Sequence, residues 1–408
     1  PATRSTAFMS RARSKLSAFV LAASVLATAC GGGGDGEAAP TTVPDYDVSE
    51  GVGSEAATLR AQLTALLQEH ALLVGMASAA VIGGTDPAPA TAALDQNSAA
   101  LGDVVTGLYG AAGPAFLDAW RRHTAALVAF APAAASGDKA VSDQAKAALA
   151  PVQEEIAGVL NGANPQLTVD DLTEALDGYA RSVQSFITAQ AKGDASAPSK
   201  LKEAADHTAG TAIVLAAGIV KHQPDAFPGG LDSTGAAMRA ELASKLQEHA
   251  YLAGLAGAAV VGGGDPEPLG DALEENSLEL SRAFGTVYGD DAQRRFLSLW
   301  REHVDLLGAF ATAARSGDAA AMEGARRDLD ANRRAVAGFL AELNPNFAAS
   351  EVEQELGTHL DTLLAAVAAE AAGDPDRVAK LREAAGHMPG TALYLATGIA
   401  RQFPAKFG

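Results

Sequence analysis

Histidines occur at matched positions on two helical patterns that are otherwise apolar. The tetrapeptide Leu67-Gln68-Glu69-His70 recurs as Leu246-Gln247-Glu248-His249, and each histidine stands where the pattern expects a leucine. An interior imidazole needs a hydrogen-bond partner or a metal ion, because an unpaired buried polar group costs roughly 1–3 kcal/mol. The pattern therefore predicts either a buried polar network or a ligand site.

Further polar residues take the core-facing position on neighbouring helical stripes. Each lies near the middle of its predicted helix, so side chains from several helices can meet in one layer of a bundle. Glu69 and Glu248 lie about 100° round the helix from their histidines, where they could be ligands or could orient an imidazole. The predicted layer comprises His70, Asn97, His123, Tyr179 and His207 in the first half of the chain, and His249, Asn276, His303, His359 and His387 in the second half.

Imidazoles that converge with a carboxylate are typical ligands of zinc, copper, iron or nickel. The predicted metal ligands are His70, His123, His207 and Glu69 in the first half, and His249, His303, His359, His387 and Glu248 in the second. Four histidines could complete a closed site, whereas three histidines beside Tyr179 could leave an open or differently tuned one. Asn97, Tyr179 and Asn276 are predicted to support each layer through hydrogen bonds.

Other interpretations of the layer stay open. The histidines could form only a hydrogen-bond network, as in a structural or interaction protein, or could hold a haem or a small organic ligand. An enzyme would use Glu248 as a base beside a histidine-bound metal, and it would need an open pocket at the layer. The sequence has no His-Glu-x-x-His, Cys-x-x-Cys, Gly-x-Ser-x-Gly, P-loop or dinucleotide-binding motif, so it indicates no reaction.

The elements that position these residues are duplicated. The chain repeats itself at a period of 179–180 residues, with one copy at about 54–228, a second at about 234–408, and the linker Pro228–Ser233 between them. Asn97-Ser98 returns as Asn276-Ser277, and Tyr109-Gly110 returns as Tyr288-Gly289. A period this long indicates duplicated domains rather than a solenoid repeat.

The pattern of each copy predicts helices and no strand. In the first copy the pattern predicts helices over 54–82, 88–108, 113–135, 138–161, 168–192 and 198–222. The fold class is therefore all-α, with two tandem homologous bundles of about six helices each. The uncharged runs Ala71–Thr85 and Ala209–Val220 predict buried first and last helices, and both are shorter than the ~20 apolar residues of a membrane span.

Residues 1–30 have the features of an export signal. Arg11, Arg13 and Lys15 precede the short apolar run Leu16–Leu26, and small residues lead to Cys30, the one cysteine of the chain. This arrangement resembles a bacterial lipoprotein signal, which implies that Cys30 is acylated and becomes the mature N-terminus. Met9 is then the expected start. Residues 31–53 form a predicted flexible tether, so we expect a protein anchored by lipid to the outer face of the cytoplasmic membrane.

The charge balance excludes one class of partner. Thirty Lys and Arg stand against 49 Asp and Glu, which gives a net charge of −19. Nucleic-acid binding needs clustered cations, so no nucleic-acid partner is expected.

A longer shared motif carries a family resemblance. Both copies contain Glu-His, Tyr-Gly, Phe-x3-Trp-x2-His, Asn-Pro, a late His and Gly-Ile, and the chain closes with Gln402-Phe403-Pro404-Ala405-Lys406-Phe407. The pattern resembles a family of exported bacterial all-helical proteins that has no established activity and is often found as single domains. The resemblance covers nearly all of both copies. The resemblance implies a histidine at the position of His359. The first copy differs from this pattern, because it has Tyr179 at the corresponding position.

Overall fold

The computed structural model describes residues 51–407, which form helices and no strand. The all-α class is thus confirmed, while the predicted signal, Cys30 and most of the tether lie outside the described residues. The helices are α1 Glu55–Gly83, α2 Ala88–Tyr109, α3 Ala112–Ala135, α4 Lys139–Ala147, α5 Ala150–Ala163, α6 Val169–Ala191, α7 Ala197–His222, α8 Thr234–Gly262, α9 Glu267–Tyr288, α10 Asp290–Ser316, α11 Ala319–Leu343, α12 Ala349–Ala371, α13 Arg377–Gln402 and α14 Pro404–Phe407.

The helices that carry the first histidine of each copy have matching ends. Ser54 and Ser233 cap the N-termini of α1 and α8, each accepting a hydrogen bond from the backbone N–H three residues later. Gly84 and Gly263 end the same helices in the left-handed conformation, with φ of 67° and 76°. A side chain there would be strained, which explains why both helices stop at glycine.

The predicted helix over 138–161 is broken in the structure. It forms α4 and α5, which separate at Ala148 and Leu149, whereas the second copy has the single helix α11. Pro151 lacks a backbone N–H, and its ring crowds the carbonyl four residues earlier, at the last residue of α4. The second copy has Ala331 at the corresponding position, so α11 continues.

The two 29-residue helices α1 and α8 are largely buried and pack side by side. Arg239 donates to Thr58 near their N-termini, and Tyr251 donates to Glu69 further along, so the two helices run in the same direction. By length and composition alone, α1 could also cross a membrane. Its most apolar 18-residue window is 67% buried inside the fold, as expected of a core helix.

The hydrophobic core crosses the boundary between the sequence copies. One cluster joins Leu72 and Leu73 of α1 to Tyr251 and Leu252 of α8. Val52, predicted to lie in the tether, is fully buried in this cluster, and its carbonyl accepts from Arg239 Nη1 at 2.8 Å. The copies therefore share a core.

Three of the repeated dipeptides meet in space. Asn164 Nδ2 donates to the Tyr109 hydroxyl at 2.9 Å and to the Gly218 carbonyl at 3.0 Å, and Asn344 Nδ2 donates to the Tyr288 hydroxyl at 3.0 Å. These contacts tie α2, α7 and the end of α5 together in the first copy. The recurrence of Tyr-Gly, Asn-Pro and Gly-Ile thus has a structural explanation.

Candidate metal centre

Three histidines of the second copy converge in its interior. The helices α8, α10 and α12 place His249, His303 and His359 at 0%, 6% and 2% exposure. One nitrogen from each lies within 4.8 Å of the others, so the group could hold a metal ion. Nitrogens around one ion lie about 3.3–3.6 Å apart when the bonds are about 2.0–2.1 Å, so side-chain shifts of about 1 Å would complete the coordination.

Trp300 borders this group, which we call the C-terminal layer: His249, His303, His359 and Trp300. The indole centroid lies 4.7 Å from the His249 ring and 5.1 Å from the His303 ring. The His359 ring lies 5.7 Å from each of the other two imidazoles. Phe296 stacks on Trp300 at 5.3 Å, which helps to hold the indole in place.

The polar atoms of the C-terminal layer lack protein partners. Within residues 51–407, both ring nitrogens of His249 and His359, Nε2 of His303 and Nε1 of Trp300 are buried without a hydrogen bond. A network of direct hydrogen bonds among these side chains, the structural alternative, is therefore not what the geometry provides. Buried nitrogens of this kind require a metal ion or water between them.

Burial keeps these imidazoles neutral. It lowers the pKa of His303 to about 4 and the pKa of His359 to about 3, with neighbouring histidines lowering the latter further. Burial, with His303 and His359 beside it, also places the pKa of His249 well below the ordinary value. A neutral imidazole has the lone pair that a metal needs, so no proton has to leave before the ion binds.

The first copy has a related group, the N-terminal layer: His70, His123, Tyr179 and Trp120. The His70 ring lies 4.9 Å from Trp120 and 5.9 Å from Tyr179, and Tyr179 lies 6.2 Å from His123. The nitrogens of both histidines, the indole Nε1 and the phenol oxygen are again buried without a hydrogen bond in the described chain. The layer thus offers two imidazoles and a phenol.

Burial also sets the protonation of the N-terminal layer. Burial lowers the pKa of His70 to about 3, and the neighbouring His123 lowers it further. Asn97 opposes this shift, although its amide does not reach hydrogen-bond geometry with the His70 ring. The pKa of His123 falls to about 4 and that of Tyr179 rises, both through burial. The phenol therefore keeps its proton and is a poorer ligand than the imidazole of His359.

The remaining predicted histidines lie outside the layers. His207 is exposed and packs against Gly178, where a Cβ would come within 2.6 Å of its Nε2. The buried stripe of α7 passes through Ala205 and Thr208, which turns His207 towards solvent. His387 is half-buried, with Nε2 3.1 Å from Glu355 Oε2, and does not belong to the converging group.

Glu69 faces the other sequence copy rather than His70. Its carboxylate accepts from Asn97 Nδ2 at 2.7 Å and from the Tyr251 hydroxyl at 3.1 Å. Arg382 of α13 adds two bonds, from Nε at 2.9 Å and Nη2 at 3.2 Å. With its oxygens engaged in this way, Glu69 has no contact that supports the predicted role as ligand or orienting acceptor.

Glu248 also has polar partners other than the layer histidines. It accepts from Asn276 Nδ2 at 2.8 Å and lies 3.6 Å from both Lys202 and Lys245. Glu248, Asp206 and Glu279 could share a cation by their spacing, but the two ammonium groups already lie among them. We regard this cluster as an ion-pair network between the copies.

Sequence reasoning missed this network, although a signal was present. Lys202 and Arg382 stand at corresponding positions five residues before His207 and His387, on stripes that are otherwise apolar. Lys202 is only 4% exposed. Two cations at matched core positions require anionic partners: Glu69 pairs with Arg382, and Asp206 and Glu279 each lie 2.7 Å from Lys202.

An apolar cavity of about 40 Å³ lies one turn from the N-terminal layer. Leu67, Trp120 and Leu176, which line it, each precede a layer residue by three positions. Val105 also lines it, and the second copy has Phe284 at the corresponding position, whose ring stacks on Phe296 at 4.3 Å. The space that is open in the first copy is therefore filled by an aromatic ring in the second.

Comparison of the chain with protein-family models, curated proteins and solved structures gives no significant match. The functional argument consequently rests on the residues of the two layers.

Proposed function

We propose that this chain is an exported lipoprotein, lipid-anchored through Cys30, that binds a transition metal in the histidine layers of two homologous bundles. Its role would be sequestration, delivery or sensing rather than turnover. The observation that carries the proposal is the convergence of His249, His303 and His359, whose buried nitrogens have no partner in the described chain.

The chemistry of the donors favours a metal over the alternatives. Three neutral imidazoles from three helices are a common ligand set for transition metals, and bundles build metal sites in this way. A network needs donor–acceptor pairs within about 3.2 Å, and none connects these rings. The buried layer also lacks the open pocket that an enzymatic role for Glu248 would need, and Glu248 points towards Lys202 and Lys245.

Elemental analysis of tag-free protein tests the proposal. After reconstitution with copper, zinc, iron and nickel in turn and removal of free ions, we expect one tightly bound ion per chain at the three-histidine group of the described residues, and weaker binding at the two-imidazole N-terminal layer. The His303→Gln variant should lose this ion. The matched control is His207→Gln, which removes an exposed histidine and should keep it. Less than half an ion per chain for every metal would overturn the proposal.

A further inference from the structure

We infer that the ion held by the C-terminal layer is monovalent and soft, with the chemistry of copper(I) rather than that of a divalent cation. The inference rests on the proposed function and concerns the charge, the ligand number and the aromatic neighbour of the same site.

The charge of the ligand set is the first argument. All three ligands are neutral, and no carboxylate belongs to the converging group. The cost of burying an ion grows with the square of its charge, so a divalent ion without an anionic ligand costs about four times as much to desolvate as a monovalent ion of equal size. A closed site of neutral imidazoles is therefore better suited to a single positive charge.

Carboxylates occur near the layer, and those closest in sequence to its histidines have other polar partners. Glu248 is held through Oε1 by Asn276 and the two lysines, and its Oε2 is buried without a hydrogen bond in the described chain. Two further carboxylates on these helices also have partners: Glu302 accepts from Asn332 Nδ2 at 3.1 Å, and Glu355 pairs with His387 and accepts from Thr391 at 3.1 Å. Among the described residues, none of these carboxylates belongs to the converging group of three imidazoles.

Ligand number is the second argument. Structural zinc takes four protein ligands, and catalytic zinc takes three with a water at an open position. Here the fourth predicted histidine, His387, lies outside the group, and the layer is closed, with no ring more than 6% exposed. Copper(I) is stable with three ligands, so this site completes its coordination without a fourth.

Trp300 is the third argument. A cation near the face of an indole is attracted by the ring quadrupole, most strongly where water is excluded. The indole lies against both His249 and His303, in a layer from which solvent is nearly excluded. Trp300 also makes the site observable, because the chain has only two tryptophans and Trp120 belongs to the other layer.

The test is a fluorescence titration in the Trp120→Phe background, where Trp300 is the single tryptophan. Silver(I), and copper(I) buffered by a chromogenic chelator with ascorbate under anaerobic conditions, are compared with zinc(II), nickel(II) and copper(II). We expect the monovalent ions to quench Trp300 at one ion per chain and to bind at least about 1,000-fold more tightly than zinc(II), because zinc lacks a fourth ligand and an anion.

Two variants assign the signal to the layer. His359→Tyr in the same background introduces the side chain found at the corresponding Tyr179, which fits a helix of this kind, and should weaken monovalent binding at least about 100-fold. His207→Gln should leave the titration unchanged. Circular dichroism verifies that each variant is folded.

The outcomes separate the inference from the proposed function. Zinc(II), nickel(II) or copper(II) binding at the layer as tightly as copper(I) would overturn the inference and leave metal binding intact. Monovalent binding that His359→Tyr does not weaken would also overturn it, because the ion would then lie elsewhere. Absence of every metal in elemental analysis would overturn both.

Discussion

The two layers are built on the same plan but differ in composition and in the core beneath them. The C-terminal layer has three imidazoles, and the N-terminal layer has two imidazoles and a phenol that burial keeps protonated. Phe284 fills the space next to the C-terminal layer, whereas Val105 leaves a cavity next to the N-terminal layer. Two polar layers at matching sequence positions thus differ in ligand strength and in the packing next to them.

The hydrophobic core is divided at the N-terminal layer and continuous at the C-terminal layer. In the first copy, Leu73 and Val183 belong to the large shared core, while Leu67 and Leu176 belong to a separate cluster on the other side of the layer. In the second copy, the apolar residues on both sides of the layer belong to one cluster. The polar layer therefore divides the hydrophobic core in the first copy but not in the second.

Acidification should give the largest effect on both layers, and a greater one in the second copy. The folded pKa of His303 is about 4 and that of His359 about 3, against 6.5 in the unfolded chain. As pH falls from 6.5 towards 4, the unfolded chain takes up protons that the folded layers exclude, so the free energy of unfolding decreases. Each such imidazole contributes about 1.4 kcal/mol per pH unit, and the C-terminal layer has one more of them.

Urea unfolding of metal-free protein between pH 7 and pH 4 measures this dependence. His303→Gln should show a shallower loss of stability than the wild-type chain, while His207→Gln should match the wild type because its histidine is exposed. Equal slopes for the two variants would contradict the role assigned to the buried imidazoles.

Tyr179→His would remove the main chemical difference between the layers. It gives the first copy the residue that the second has at His359, so the N-terminal layer would contain three imidazoles. We expect a second tight ion per chain, with affinity raised about 100-fold at that layer. Fluorescence titration in the Trp300→Phe background, where Trp120 is the single tryptophan, measures the metal affinity of the N-terminal layer. Unchanged affinity there would show that packing, rather than ligand identity, causes the difference between the two layers.

An exchange at the cavity should give the smallest effect. Phe284→Val removes a stacked ring from the second copy and should lower the free energy of unfolding by about 2–3 kcal/mol. Val105→Phe fills the first cavity and should raise it by about 1 kcal/mol or less, since part of the gain is lost to crowding. Urea denaturation of both variants provides the measurement, and a destabilising Val105→Phe would show that the cavity cannot accept the ring.

Helical periodicity predicted the helices of the first copy except for the break within 138–161, and it placed most of the layer residues on buried faces. The stripes through His70, His123, His249, His303 and His359 were correct because each histidine follows a bulky apolar residue by three positions. His207 was wrong because its neighbours are alanine and threonine, which do not distinguish one face of α7 from the next. Only the packing of α7 against α1 and α6 resolves that choice.

The roles of Glu69 and Glu248 could not be derived from local spacing. Their partners Arg382 and Lys202 lie in the opposite copy, and a helical pattern contains no information about which distant helix faces it. The break at Pro151, in contrast, was readable from the residue itself.

The shared core has a consequence for how this chain is made. Several contacts that join the copies link residues far apart in the sequence: Glu69 is 182 positions from Tyr251 and 313 positions from Arg382. Closing such long loops slows folding, and apolar surface stays exposed until the partner segment arrives. A nascent chain that ends near residue 230 has produced α1 but not α8, the helix that covers it. The first half of this protein should therefore depend on chaperones until the second half has been synthesised.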